Sequence, residues 1–298
     1  ITPLQAELAE KVPMTDDLCV EADSGGHTDR GVFHALFPVM RRLRDSFAQE
    51  SGTTGPVCVG AAGGLGTPES IAAAFILGAD FVLTGSINQC TVEAGTSDAV
   101  KDLLQGAHVQ DTDVVPAGDA FEVGGKVQVF RKGLLFPARA KKLYELYRQF
   151  HSLEQIDAQT RHQIESRYFK RSFAEVYAET KAYYAQVMPE MIERAERDEK
   201  HKMALIFRWY FVHTNRLALS GDPADKVDYQ IHCGPALGAF NQWARRTRFE
   251  SWRERHVDEM AENLMAGAAA VLDDRLTALW ESSAGDAKQE AAPFYAVG

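Results

Sequence analysis

The chain has 298 residues, of which 45% are hydrophobic, 25% charged and 10% aromatic, a balance that suits one or two globular domains and excludes fibrous and disordered classes. Its formal charge of −10 excludes a nucleic-acid binder held mainly by phosphate contacts. The longest apolar run, residues 71–77, is far short of the roughly 20 residues of a membrane helix, and residues 1–7 lack the basic and apolar regions of a signal peptide, so no membrane association is expected.

In chain order, the first hundred residues read as α/β. Leu18-Cys19-Val20-Glu21-Ala22 predicts a strand, and the polar run Asp23-Ser24-Gly25-Gly26-His27-Thr28-Asp29 a loop after it. Phe33, Leu36, Phe37, Met40, Leu43 and Phe47, at three- and four-residue spacings, predict a helix over 33–47. Ser51-Gly52-Thr53-Thr54-Gly55 predicts a turn, and 56–61 the second strand. The glycine turn Ala62-Gly63-Gly64-Leu65-Gly66 leads to a helix over 68–77, for which Thr67 suits the cap, Pro68 the first helical position and Glu69 the positive end. Gly78 stops that helix. Asp80-Phe81-Val82-Leu83-Thr84 predicts the third strand, closed by Gly85-Ser86. Strands and helices in this alternation imply a parallel sheet with right-handed crossovers.

Residues 106–138 show no clean pattern. Beyond 138 the pattern is helical: Phe169, Phe173 and Tyr177 recur every four residues, and Met203, Phe207, Tyr210 and Phe211 mark a helix ending near Gly221. A last helix is expected over 257–280, and the small, polar residues 282–298 are expected to fray. No internal repeat is present.

The charge is uneven: residues 1–130 carry a net −11 and residues 131–298 a net +1, which suggests two regions with different surfaces. The four cysteines, Cys19, Cys58, Cys90 and Cys233, are far apart. They are expected to be buried thiols in a reducing, cytoplasmic compartment. The first residue is Ile rather than Met, and the start is therefore expected to be a processing site, a cleavage or a truncation.

Three features carry candidate chemistry. Gly63-Gly64 lies between a strand end and a helix start, and Gly85-Ser86 ends the next strand. Two such ends either cradle a phosphate by their backbone or simply close tight turns. No P-loop lysine follows, and the dinucleotide fingerprint fits poorly. Ser24-Gly25-Gly26-His27 follows the first strand's carboxyl end, where His27 is either a proton or hydrogen-bond donor to a ligand or a surface residue. Glu21 and Asp23 are either a carboxylate pair or loop-entry hydrogen-bond partners. Arg131, Lys132, Arg139, Lys141, Lys142 and Arg148 form a basic stretch that either steers an acidic partner or is the solvated face of a helix with Leu143, Leu146 and Tyr147 inward. The remaining histidines form no ligand set, and most are expected at the surface.

Together these segments, the third strand running on into Ile87-Asn88-Gln89, with Phe136-Pro137-Ala138-Arg139-Ala140, Lys142-Leu143-Tyr144-Glu145-Leu146-Tyr147 and Asp228-Tyr229-Gln230-Ile231-His232-Cys233-Gly234-Pro235-Ala236, resemble the trans-acting enoyl reductases of polyketide and polyunsaturated-fatty-acid synthases. These belong to the nitronate monooxygenase (2-nitropropane dioxygenase) superfamily. The resemblance implies an α/β fold: the C-terminal strands of a flavin-binding (β/α)8 TIM barrel over 1–105, a mainly helical substrate and carrier-protein subdomain over 106–281, and a flexible tail over 282–298. It implies FMN, its phosphate at Ala62, Gly63, Gly64, Gly85 and Ser86, with Ser24, Gly25 and Gly26 beside the ring and His27 as the active-site histidine. It further implies NAD(P)H as electron donor, an acyl carrier protein as partner and a homo-oligomer. The three strands would be the sixth, seventh and eighth of the barrel, so an N-terminal barrel half is expected as a further partner, in a separate chain or an unrecorded segment. The alternatives are a flavin oxidase of the nitronate type and a non-catalytic scaffold that docks carrier proteins.

Overall fold

The computed structural model describes residues 1–9, 15–51 and 57–289. Its elements run α1 (Pro3–Ala9), β1 (Asp17–Glu21), β2 (Gly26–His27), α2 (Phe33–Ser51), β3 (Cys58–Ala62), α3 (Pro68–Ile76), β4 (Phe81–Leu83), α4 (Asp98–Gln105), β5 (Thr112–Pro116) and β6 (Lys126–Phe130). Helices then follow one another: α5 (Phe136–Gln149), α6 (Ala158–Ile164), α7 (Phe173–Val187), α8 (Pro189–Ala195), α9 (Glu199–Ser220), α10 (Pro235–Trp243) and α11 (Val257–Gln289). The turn expected over 51–55 falls largely outside the described residues.

β1, β3 and β4 form a parallel sheet in that order, as the alternation of strands and helices requires. The Thr67 hydroxyl accepts the Ser70 N–H, while the Ser70 side chain accepts the Thr67 N–H. This capping box, with Pro68 at the first position, fixes where α3 starts. The helix ends at Gly78, whose φ of +94° few other residues adopt. Asp80 then accepts the Val59 N–H at 2.7 Å and ties the entry of β4 to β3.

A second sheet fills the stretch that showed no sequence pattern. β2, β6 and β5 pair antiparallel, in that order. β2 lies inside the run expected to be a loop. Its pairing partner lies about a hundred residues ahead, and a two-residue strand leaves no periodicity to read. His232 forms a further bridge to Val129 of β6, so residues 26–27 and 231–233 follow one another along one edge of that strand.

Two large apolar cores form, beside a small cluster of Ile192, Ala195 and Leu205. One gathers Val59, Ala61, Ile71 and Leu104 with Tyr229, Leu237, Phe240 and Leu264. The other gathers Val127, Val129, Phe136, Leu143, Val176 and Phe207. The stretch expected as one subdomain over 106–281 therefore contributes to both, because α10 and α11 return to the parallel sheet. α11 runs to Gln289, past the expected end at 280, and residues 290–298 lie outside the described residues.

Three expectations need correction. Cys19 is exposed and Cys58 partly so; only Cys90 and Cys233 are buried. Cys19 sits in an apolar run, but the face of β1 it shares with Glu21 is uncovered. Phe169 and Phe173 do not share a helix. A π-helical turn ends at Phe169, Lys170 takes a φ of +53°, and α7 starts after Ser172. His201, His213 and His232 are buried or half-buried rather than surface residues.

Candidate cofactor and active site

Parallel strands point the same way, so the loops after them collect on one side. There the structure holds a cavity of about 500 Å³. Glu21, Ser24 and Gly25 reach it from the end of β1, Ala62, Gly63 and Gly64 from β3, Gly85 and Ser86 from β4, and Gly234 and Ala236 from the start of α10.

The glycines are not equivalent. Gly63 has a φ of +85°, and a methyl group on it would lie 2.8 Å from the backbone of Ala22, so it serves the close approach of β1 and β3. Gly64 and Gly85 face open space: a methyl group on either would meet no heavy atom within 4 Å. These two leave a hollow that a side chain would fill. The cavity lining carries no lysine or arginine, so an anionic group there would rest on backbone N–H and hydroxyl groups. The donor set and the hollow fit a phosphate held by backbone.

The loops lock together at Gly25. A Cβ there would come within 2.6 Å of both the Gly234 nitrogen and Ser86 Oγ, and Ser86 Oγ accepts the Gly234 N–H at 2.9 Å. Ser24 Oγ donates to Glu21 at 2.7 Å. Asp23 does not share a proton with Glu21. It accepts from Thr28 Oγ1 at 2.6 Å and from Gln128 Nε2 at 3.4 Å, which is loop-entry bonding.

Of the sequence candidates, the structure thus brings together Ser24, Gly25, Ala62, Gly63, Gly64, Gly85 and Ser86. Gly26 and His27 fall outside the lining, in β2. The His27 side chain is 60% exposed, with Nε2 2.8 Å from Asp119 Oδ1. Burial pulls the Asp119 carboxyl upward, but the His27 hydrogen bond holds it below the usual carboxylate range. A second imidazole lies on the other side of Gly26. His232 Nε2 is 2.7 Å from the Gln230 side-chain amide, and its backbone carbonyl accepts from Gln89 Nε2 at 2.7 Å. Burial pushes its pKa down, and the neighbouring His27 adds to that.

The sequence reading missed Gln89, Gly234 and Ala236 as wall residues. The available signal was Gly234-Pro235, a helix start of the same kind as Thr67-Pro68. The basic stretch is partly spent inside the fold. Arg139 pairs with the buried Asp228, which also accepts from Tyr210 Oη at 2.8 Å; Lys141 pairs with Asp113 at 2.6 Å and Lys132 with Asp111 at 3.5 Å. Leu143 and Leu146 are buried, as the helix-face alternative required. Among the described residues no group of three His, Cys, Asp or Glu is placed to hold a metal ion, and no helix is long and apolar enough to cross a membrane.

Comparison with known proteins adds four findings. Residues 150–229 match the family profile of the [Acyl-carrier-protein] S-malonyltransferase inserted helical domain. The chain is 56% identical over 283 residues to the polyketide biosynthesis protein PksE of Bacillus subtilis, which covers 95% of this chain and 36% of that protein. It is 46% identical over 251 residues to a polyunsaturated fatty acid synthase subunit of a Thraustochytrium species, covering 83% of this chain and 17% of that one. The chain therefore spans about a third or less of these curated relatives. Among solved structures, the enoyl reductase domain of MlnA from the macrolactin biosynthesis cluster of Bacillus amyloliquefaciens superposes with a TM-score of 0.87 at 45% identity, covering 93% of this chain and 62% of that one.

Proposed function

The chain belongs to the family of enoyl reductases of polyketide and polyunsaturated-fatty-acid synthases, and from that premise we propose that it is the FMN-phosphate-binding part of an enoyl reductase that acts in trans on acyl-carrier-protein thioesters. The observation that carries this reading is the hollow at Gly64 and Gly85, where two adjacent strand ends leave a side-chain-sized space on the wall of a 500 Å³ cavity.

In this reading the backbone of Gly63, Gly64, Gly85 and Ser86 holds the phosphate, and Ser24, Gly25 and Gly26 lie toward the ring. When bound, FMN supplies a hydride, taken from NAD(P)H, to the β-carbon of an α,β-unsaturated thioester. Gly25 has no room for a side chain, because Gly234 and Ser86 press against it; this holds the loop flat where a ring must pass. Ser24 is kept in place by Glu21. The hydride's arrival leaves charge on the thioester oxygen and an α-carbon that needs a proton. His27 is assigned as the proton's source. Its Nε2–H is given to Asp119 at 2.8 Å, so the proton passed to the α-carbon is the one on Nδ1 of the imidazolium, whose charge the Asp119 carboxylate balances.

The three parallel strands are read as the last three of a (β/α)8 barrel, since a three-stranded sheet cannot close. The carrier-protein reading draws on the synthase relatives and on the match of residues 150–229 to a helical domain of an enzyme named for acyl carrier protein. The test is a comparison of substrates for the complete, flavin-loaded protein. Reduction of a 2-enoyl carrier-protein thioester by NAD(P)H, with little turnover of alkyl nitronates, is expected. Nitronate oxidation with no enoyl reduction would overturn the reading.

A further inference from the structure

A second cavity, of about 250 Å³, lies on the far side of Gln89, which lines both. Its opposite wall is the last part of α9, where Asn215 and Leu219, four residues apart, share a face. Ser97 Oγ, the cap of α4, donates to the Ala218 carbonyl at 2.6 Å and fixes that wall. The floor is the segment that bridges β6, with Gln230, Ile231 and His232.

The chemistry of this lining is distinctive. It carries three side-chain amides, an imidazole and the Thr96 hydroxyl beside aliphatic groups, and no lysine, arginine or carboxylate. Gln89 uses its Nε2 on the His232 carbonyl, which leaves its Oε1 to accept. Gln230 is engaged by Thr214 and His232. The Asn215 side chain, on the exposed rim of this cavity, makes no hydrogen bond among the described residues and presents both a donor and an acceptor. Such a surface suits an uncharged chain in which amides alternate with methylenes. It does not suit a dinucleotide, whose two phosphates call for cations.

We propose that this second cavity receives the amide-bearing pantetheine arm of a carrier-borne acyl thioester, with Asn215 and Gln89 pairing its amides while the thioester end passes Gln89 into the larger cavity. The proposal rests on the enoyl-thioester reading above. The uncharged inner arm occupies the cavity, and the phosphate at the arm's far end stays outside it.

The experiment uses the complete, flavin-loaded protein with Asn215→Leu and Leu219→Trp, the first removing the free amide and the second filling the space. Two substrates are compared: crotonyl-pantetheine, and the propyl thioester of the same acid, which has no amides. Each variant should lose about tenfold in kcat/KM on crotonyl-pantetheine and less than about twofold on the propyl thioester. The rate of flavin reduction by the nicotinamide should not change. Equal losses on both thioesters, or a loss in the nicotinamide step, would overturn the assignment. If the unaltered protein reduces neither thioester, the enoyl reading fails, and calorimetric binding of the saturated butyryl-pantetheine judges the cavity by itself. Weaker binding to Asn215→Leu supports the pantetheine site, and unchanged binding rejects it.

Discussion

A side chain added at Gly63 meets the backbone of Ala22, just after β1, whereas one added at Gly85 meets nothing, so two glycines of similar appearance in the sequence should fail differently. In the complete protein, Gly85→Val should fold with a urea midpoint close to that of the parent and lose at least about tenfold in FMN affinity, because its methyl groups take the space assigned to the phosphate. Gly63→Val should instead lose stability, with about 1–3 kcal/mol from its left-handed backbone and more from the Ala22 contact. Fluorescence titration of FMN together with urea unfolding separates the two. Full flavin affinity in Gly85→Val would return both positions to turn closure. His27 makes a different kind of claim. Replacement by Ala should slow reoxidation by an enoyl thioester about 10²–10⁴-fold and leave reduction by the nicotinamide intact. Stopped-flow measurement of both half-reactions decides this, and an unchanged enoyl step moves the proton-donor role elsewhere. The glycine turns were legible in the sequence because a strand, a glycine pair and a Pro-started helix are contiguous. Gly234, Ala236 and Gln89 were not, since only the bridge from His232 to Val129 brings the first two back to the sheet.

Within α5 and the turn before it, the six basic residues divide by burial. Arg139 lies over the Tyr168 ring at 4.8 Å and pairs with Asp228, both nearly out of solvent, so Arg139→Ala leaves a carboxylate uncompensated. A loss of about 3–5 kcal/mol in urea unfolding is expected; a loss below about 1 kcal/mol would show that the pair contributes little. Arg131 is exposed and Lys142 largely so, and reversing both charges should raise KM for a carrier-borne substrate through slower association while sparing a short pantetheine thioester. Equal effects on the two substrates would make the stretch structural. In α9, burial pushes His201 and His213 down from the ordinary value of 6.5, as it does His232 nearby. Each is neutral in the fold, so its contribution is complete above about 6.5 and is lost as pH falls from there toward its lowered folded value. His256, raised by its hydrogen bond to Glu93, acts in the opposite sense. The His256 side chain is 45% exposed, so solvent screens its opposing effect and the more buried groups set the sign: the urea midpoint should fall between pH 7.5 and pH 5.5, and His201→Leu should flatten that fall. An unchanged fall in this variant would show that His201 is not one of its sources. The helices were legible because apolar residues recur at helical spacing over several turns. β5 and β6 were not, since both are five residues long and their register is set by a partner strand rather than by alternation along the chain.

On the scale of the whole molecule, the parallel sheet pairs on one side only at each of its outer strands: among the described residues β1 and β4 bond to β3 alone. A parallel sheet is ordinarily covered on both faces and has few free edges. Here Cys19 and Glu21 of β1 and Leu83 of β4 are open to solvent in part or in full, and all three face the large cavity. The wall proposed to hold a phosphate is therefore present, while the opposite wall, against which a flavin ring would be enclosed, is absent from the described residues. A phosphate contact alone binds weakly, because the ring then stays in water and most of the apolar area that favours binding is never buried. These 298 residues by themselves should accordingly bind FMN only weakly, and a polypeptide that pairs with β1 and β4 should raise the affinity by orders of magnitude. Isothermal titration of FMN into this chain, alone and with such a polypeptide, makes the comparison. Tight binding by the chain alone would mean that three strands suffice for the site, and that the free edges of β1 and β4 are not where it is completed.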